Sequence, residues 1–114
     1  MNTLQKKLAE GLVIFDGAIG TEIYRRNFFV NASFEQLSVT NPDVIADIHE
    51  QYIQSGAEVL TTNTFNGNAR RLGQFGLADQ LEKINRAGVE LARRAAAKTG
   101  ALVAGSIGPI GEPE

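Results

Sequence analysis

Three unbroken apolar runs constrain this chain more than any other feature: Leu12-Val13-Ile14-Phe15, the stretch around Val59-Leu60, and Leu102-Val103-Ala104. Continuous rather than alternating hydrophobicity suits a strand covered on both faces, as in a parallel sheet. The runs lie about 45 residues apart, which leaves room for a helical crossover each time. Each run stops in small or polar residues: Asp16-Gly17-Ala18-Ile19-Gly20-Thr21, Thr61-Thr62-Asn63-Thr64-Phe65, and Gly105-Ser106-Ile107-Gly108-Pro109. Parallel α/β proteins build their sites at the carboxyl ends of strands, so three strand ends are expected to converge on one polar rim.

The connections are legible too. A short helix is expected over 3–9, ahead of strands at 12–15, 58–62 and 101–105. Thr40-Asn41-Pro42-Asp43 reads as a helix start, with a capping side chain, proline in the first turn and an acid facing the positive end of the dipole. Val44, Ile45, Ile48, Tyr52 and Ile53 then form one helical stripe, and Gly56 supplies a stop. Leu77, Leu81, Ile84, Gly88, Leu91 and Ala95 recur at spacings of three and four until Gly100. A shorter helix or ordered loop is expected within 66–74, and 27–39 reads as an irregular loop between the first strand and its crossover helix.

The order is therefore β, helix–loop–helix, β, helix–helix, β, with right-handed crossovers. Three parallel strands are too few for a closed barrel or a usual doubly wound domain. No crossover helix follows the third strand to cover its apolar edge, a liability that complete domains avoid. The expectation is an α/β fold forming part of a larger unit, with residues 1–114 as a single truncated domain.

Charge and composition exclude several classes. A net charge of −2 in 114 residues gives no electrostatic case for nucleic acid or an anionic membrane. The pairs Arg25-Arg26, Arg70-Arg71 and Arg93-Arg94 sit among acids and read as solvated helix faces. No apolar stretch approaches the roughly 20 residues of a membrane span. Zero cysteines exclude disulfides and thiolate metal ligands within these residues. A cytoplasmic address is the default.

Among residues that could do chemistry, Asp16 closes the first run. Its carboxylate could grip an ammonium group while the unobstructed Gly17 amide holds a carboxylate; equally, Asp16 could cap a short helix over 19–25. Gly-Ala-Ile-Gly-Thr lacks the third glycine and the phasing of a dinucleotide fingerprint. Alternation would put Thr62 on one strand face and Thr61 and Asn63 on the other, so at least one of these polar groups should look into a barrel mouth. They could also simply complete a strand and a turn. The small residues at 105–109 would let that loop pass close to a ligand, but without a following lysine it makes a weak phosphate cradle. His49, the only histidine, reads as a helix-surface or boundary residue. Glu22 and Glu58 have no evident partner.

Taken together, these phrases resemble the homocysteine S-methyltransferase family of zinc-dependent (β/α)8 barrels. The pieces are Phe15-Asp16-Gly17-Ala18-Ile19-Gly20-Thr21, Asn41-Pro42-Asp43, Gly56-Ala57-Glu58, Thr62-Asn63-Thr64-Phe65, Ile84-Asn85 with Ala87-Gly88, and Val103-Ala104-Gly105-Ser106-Ile107-Gly108-Pro109. The pattern is most similar to the homocysteine-binding modules of folate-linked, methionine-forming enzymes, including those with a methylenetetrahydrofolate reductase module fused behind. Ile19 stands where methionine or phenylalanine is more usual, a change that keeps side-chain volume nearly constant.

The resemblance implies a partial TIM barrel, the first three strands with their crossover helices. It implies methyl transfer to the homocysteine thiol, from methyltetrahydrofolate (directly or through cobalamin), S-methylmethionine or S-adenosylmethionine. It assigns Asp16, Gly17 and Thr62 to the amino-acid end of the substrate, with Asn63 as a neighbour. It also implies zinc, held by three cysteines in the later part of the barrel, outside this chain. These residues alone would then be inactive. The rival reading is a non-catalytic small-ligand binding domain of doubly wound type.

Overall fold

A computed structural model describes residues 2–28 and 33–111. Its elements are α1 (Thr3–Glu10), α2 (Gly20–Arg25), α3 (Leu37–Thr40), α4 (Pro42–Gln54), β1 (Val59–Thr61), α5 (Ala69–Gly73), a 3-10 turn (Ala78–Gln80), α6 (Leu81–Ala97) and β2 (Leu102–Ala104).

The two strands pair in parallel, Val59 with Leu102 through Thr61 with Ala104. The expected first strand is a correction. Residues 12–15 run alongside β1, but only Phe15 bridges to Val59. Around it the ladder is irregular: the Glu58 and Val59 amides both donate to Ile14 O, at 2.7 and 3.2 Å. The Ile14 amide donates instead to the Glu58 carboxylate at 3.2 Å. A side chain thus takes the donor a regular ladder needs. The segment keeps its parallel direction and its place beside β1, and Leu12 beyond the bridge is 95% exposed.

Two more expectations change. Asn41 does not cap α4 with its side chain; its Oδ1 accepts from the Thr40 hydroxyl at 2.9 Å. Helix α3 ends at Thr40, so Asn41 must close one helix and open the next, at φ −137° and ψ 59°. The loop expected over 27–39 contains the start of α3, while its residues 29–32 lie outside the described set. The short helix expected within 66–74 is α5, capped by Asn68 Oδ1 on the Arg71 amide at 2.9 Å.

The helices cover the sheet with the stripes read from spacing. Ile45 and Ile48 of α4 meet Ile23 of α2, Leu37 of α3 and Leu91 of α6 in one cluster. Ile53, Ala57, Leu60, Ala95 and Ala96 form a second cluster behind the strands. Ile23, Ile45, Leu60 and Ile84 are fully buried, each contributing roughly 1.5–3 kcal/mol of transfer free energy. Gly88 lets α6 lie directly on the end of β1. A Cβ there would stand 2.9 Å from Thr64 Cγ2 and 3.2 Å from Asn63 O. Among the described residues, no helix is long and apolar enough to cross a membrane.

His49 is the clearest departure from the sequence reading. It is fully buried on α4, and neither ring nitrogen has a hydrogen-bond partner. Burial holds its pKa below the ordinary histidine value, against an opposing pull from the Asp16 carboxylate. The polar–apolar pattern around it could not show this, because the burial of that face is set by tertiary packing.

Candidate functional site

The chain ends of the first segment, β1 and β2 surround a cavity of about 370 Å³. Asp16, Gly17, Thr62 and Asn63 all line it, along with Glu35 and Ser106. Two larger concavities, of about 890 Å³ on the outer face of α6 and about 510 Å³ between α6 and β2, lie apart from Asp16 and Gly17. The smaller space is the one where several polar groups converge from different strand ends, which is what a ligand site requires.

Asp16 is fixed by β1. Its Oδ2 accepts the Thr61 amide at 2.8 Å and its Oδ1 accepts the Thr61 hydroxyl at 2.8 Å. The alternative role for Asp16, capping the next helix, is absent: α2 begins behind Ile19 with no side-chain cap. Gly17 sits against Tyr52, whose hydroxyl donates to Ala18 O at 2.7 Å. A Cβ on Gly17 would come within 2.7 Å of that hydroxyl oxygen, so close approach accounts for the glycine. Burial first, then the Glu22 and Asp16 carboxylates, raise the Tyr52 pKa and keep the phenol a donor.

Thr62 and Thr64 tie the end of β1 to the loop after β2. Their hydroxyls are 2.7 Å apart. Thr64 donates to Ser106 O at 2.7 Å, and the Ser106 amide donates to Thr62 Oγ1 at 3.0 Å. Strict alternation fails here because β1 ends at Thr61 and the chain turns at once, Thr64 N donating to Thr62 O at 2.9 Å. The turn brings Thr61, Thr62 and Asn63 all to the cavity. The Asn63 amide group reaches the other way and donates to Phe34 O at 2.9 Å and Ser38 Oγ at 3.2 Å.

Sequence reasoning missed Glu35, and it named Thr61 only as one of the polar groups at the strand end, without its pairing to Asp16. The position of Thr61 opposite Asp16 follows from strand register, which the apolar runs alone leave open. Glu35 lies in the segment read as irregular and carried no signal. Of the carboxylates without an assigned partner, Glu22 pairs with Arg25 and Arg26 on and beside α2, at 3.1 and 3.2 Å. Glu58 accepts from Ile14 and lies 3.9 Å from Lys7. Both are structural contacts outside the cavity.

Parallel strands whose polar ends share one cavity define an α/β protein with a polar cavity at its strand ends, where folds of this class place their ligand sites. Residues 13–113 match the family described as homocysteine S-methyltransferase, and the chain belongs to that family. It is 33% identical over 113 residues to a methionine synthase of Mycobacterium tuberculosis, covering 90% of this chain and 10% of that protein. For a methionine synthase of Mycobacterium leprae the identity is 32% over 117 residues, covering 93% and 10%. Among solved structures, the oxidised form of the Escherichia coli homocysteine methyltransferase MmuM superposes with a TM-score of 0.82 at 30% identity, covering 96% of this chain and 41% of that one. The metallated form gives 0.80 at 31%, covering 95% and 42%. The chain thus spans a tenth of the curated relatives and about two-fifths of the solved ones.

The zinc that the family resemblance implies does not fit these residues. The sequence has no cysteine, and its one histidine is fully buried on α4. Among the described residues, no three His, Cys, Asp or Glu side chains converge. No step through a metal is assigned to this chain.

Proposed function

We propose that residues 1–114 form the amino-acid-holding part of a homocysteine S-methyltransferase, the first three strand segments of one (β/α)8 barrel. The observation that carries this reading is that Asp16 and Gly17 meet Thr62 and Asn63 at one cavity, in a chain of that family. In this reading the remaining lone pairs of Asp16 receive the substrate ammonium. The Gly17 backbone, kept clear of side chain, receives its carboxylate. The thiol then points away from both, toward the open side of the sheet.

Methyl transfer needs the sulfur as a thiolate, and a free thiol with a pKa near 8.5 is only a few per cent ionised at neutral pH. In this reading no described residue activates it, and that task falls to residues outside the chain. The methyl donor is left open between a folate or cobalamin route and a sulfonium donor. A non-catalytic binding domain of doubly wound type would use a similar strand-end cavity; family membership over residues 13–113 favours the methyltransferase.

The test compares the 114-residue chain with a longer protein in which further barrel strands are joined to it, assaying methionine formation from L-homocysteine with each donor. The longer protein is expected to be active and chelator-sensitive, and the chain alone inactive with zinc retention at background. Chelator-sensitive activity from the chain alone would overturn the division of labour, and no homocysteine-dependent turnover from the longer protein would overturn the function.

A further inference from the structure

The direction of each hydrogen bond around the cavity can be worked out from the donors available. Thr64 gives its single hydroxyl hydrogen to Ser106 O. Across the 2.7 Å contact between the two threonines, Thr62 is therefore the donor. Thr62 Oγ1 also accepts the Ser106 amide, which leaves it one acceptor lone pair and no hydrogen. Asn63 is in a similar state, since both Nδ2 hydrogens go to Phe34 O and Ser38 Oγ and only Oδ1 remains. Thr61 gives its hydroxyl hydrogen to Asp16.

Glu35 completes this wall. It is 5% exposed and lines the same cavity. Its Oε1 accepts from the Ser33 hydroxyl and its Oε2 from the Asn66 amide, each at 3.3 Å, leaving a lone pair on both oxygens. Among the described residues, no lysine or arginine is ion-paired with Asp16 or Glu35. Asp16 and Glu35 thus line one space together with Thr62, whose hydroxyl has no free hydrogen, and neither carboxylate is ion-paired with a described lysine or arginine. A carboxylate buried without a positive partner is costly, and a ligand carrying that charge relieves the cost.

We infer that Glu35 is a specificity-determining residue of this cavity, acting with Asp16 to make it an ammonium-selecting subsite. The inference rests on the homocysteine reading and goes further: the α-amino group, with three hydrogens to donate, is required for binding, and a thiol acid without it is refused. Glu35 also ties the loop before α3 to the loop after β1, so a merely structural role must be separable.

The probes are L-homocysteine and 4-sulfanylbutanoate, the same molecule without the amine, titrated into the isotopically labelled 114-residue chain with the Gly17 and Ser106 amide signals followed by NMR. In the unaltered chain, homocysteine is expected to bind about tenfold or more tightly than its amine-free analogue. Glu35→Gln, which keeps an oxygen for the Asn66 amide, is expected to collapse that ratio by weakening homocysteine while sparing the analogue. Ser33→Ala loosens the loop without removing charge and is expected to keep the ratio. Because the ratio is taken within each variant, general loosening cancels. A ratio unchanged by Glu35→Gln, or lost equally in Ser33→Ala, overturns the role of Glu35. Failure of the unaltered chain to bind either probe overturns the homocysteine reading, and the inference with it.

Discussion

Asp16 takes hydrogen bonds on both carboxylate oxygens from one residue of the neighbouring strand, the amide and the hydroxyl of Thr61, each at 2.8 Å. The pairing fixes the plane of the carboxylate, so its remaining lone pairs have one orientation with respect to the cavity. It also crosses from the irregular first segment to β1, adding to the few backbone hydrogen bonds that join Ile14 and Asp16 to Glu58 and Val59.

Thr61→Val keeps the size and the amide but removes the hydroxyl bond to Asp16. The loss is expected to destabilise the chain by about 1–2 kcal/mol in urea denaturation, and Thr61→Ser to recover most of it. Equal effects from both substitutions would mean that packing of the β-branched side chain, not the hydrogen bond, is what matters.

The tie between β1 and the loop after β2 should be visible in amide exchange. Thr62→Val removes the acceptor for the Ser106 amide. Exchange at Ser106 is expected to speed about tenfold, or about 1.4 kcal/mol, with the Leu60 and Val103 amides little changed. Unaltered exchange at Ser106 would show that the loop is held by other contacts.

Gly88→Ala sets two effects against each other. Alanine gains about 1 kcal/mol of helix propensity over glycine, but here its methyl would press on Thr64 and the Asn63 carbonyl. Overpacking against a strand end costs about 1–3 kcal/mol, so net destabilisation is expected in chemical denaturation. A more stable variant would mean that α6 can move off the strand end freely.

His49 gives the chain a pH dependence of definite sign. Its folded pKa lies below the value near 6.5 expected when unfolded, so on acidification the unfolded state takes up the proton first. Stability is therefore full above pH 7 and falls as pH drops through 6.5 toward the depressed folded value. Thermal melts at pH 7.5 and 5.5 should show a larger loss for the unaltered chain than for His49→Leu, which has no group to protonate. Parallel losses would show that other groups govern the acid limb.

The parts of this fold that local chemistry dictates were readable in advance. The stripes of α4 and α6 follow from three-and-four spacing, and the direction of the strands from unbroken apolar runs and the length between them. Asp16, Gly17, Thr62 and Asn63 could be grouped because they lie just past the points where two apolar runs stop. What required coordinates was relational. Register brings Thr61 to Asp16, and tertiary packing buries His49. Asn41 looked like a side-chain cap because the residues after it start a helix, but the short helix before it takes its side chain elsewhere. Glu35 had no local pattern at all, and only the folding of its loop onto Asn66 brings it to the cavity.

The most direct test of the account is a crystal structure of the chain grown with L-homocysteine. The expected density places the ligand ammonium about 2.7–3.2 Å from Asp16, beside Thr62, with the sulfur toward the open side of the sheet. A ligand lodged in the groove between α6 and β2, or turned so that its sulfur meets Asp16, would contradict it.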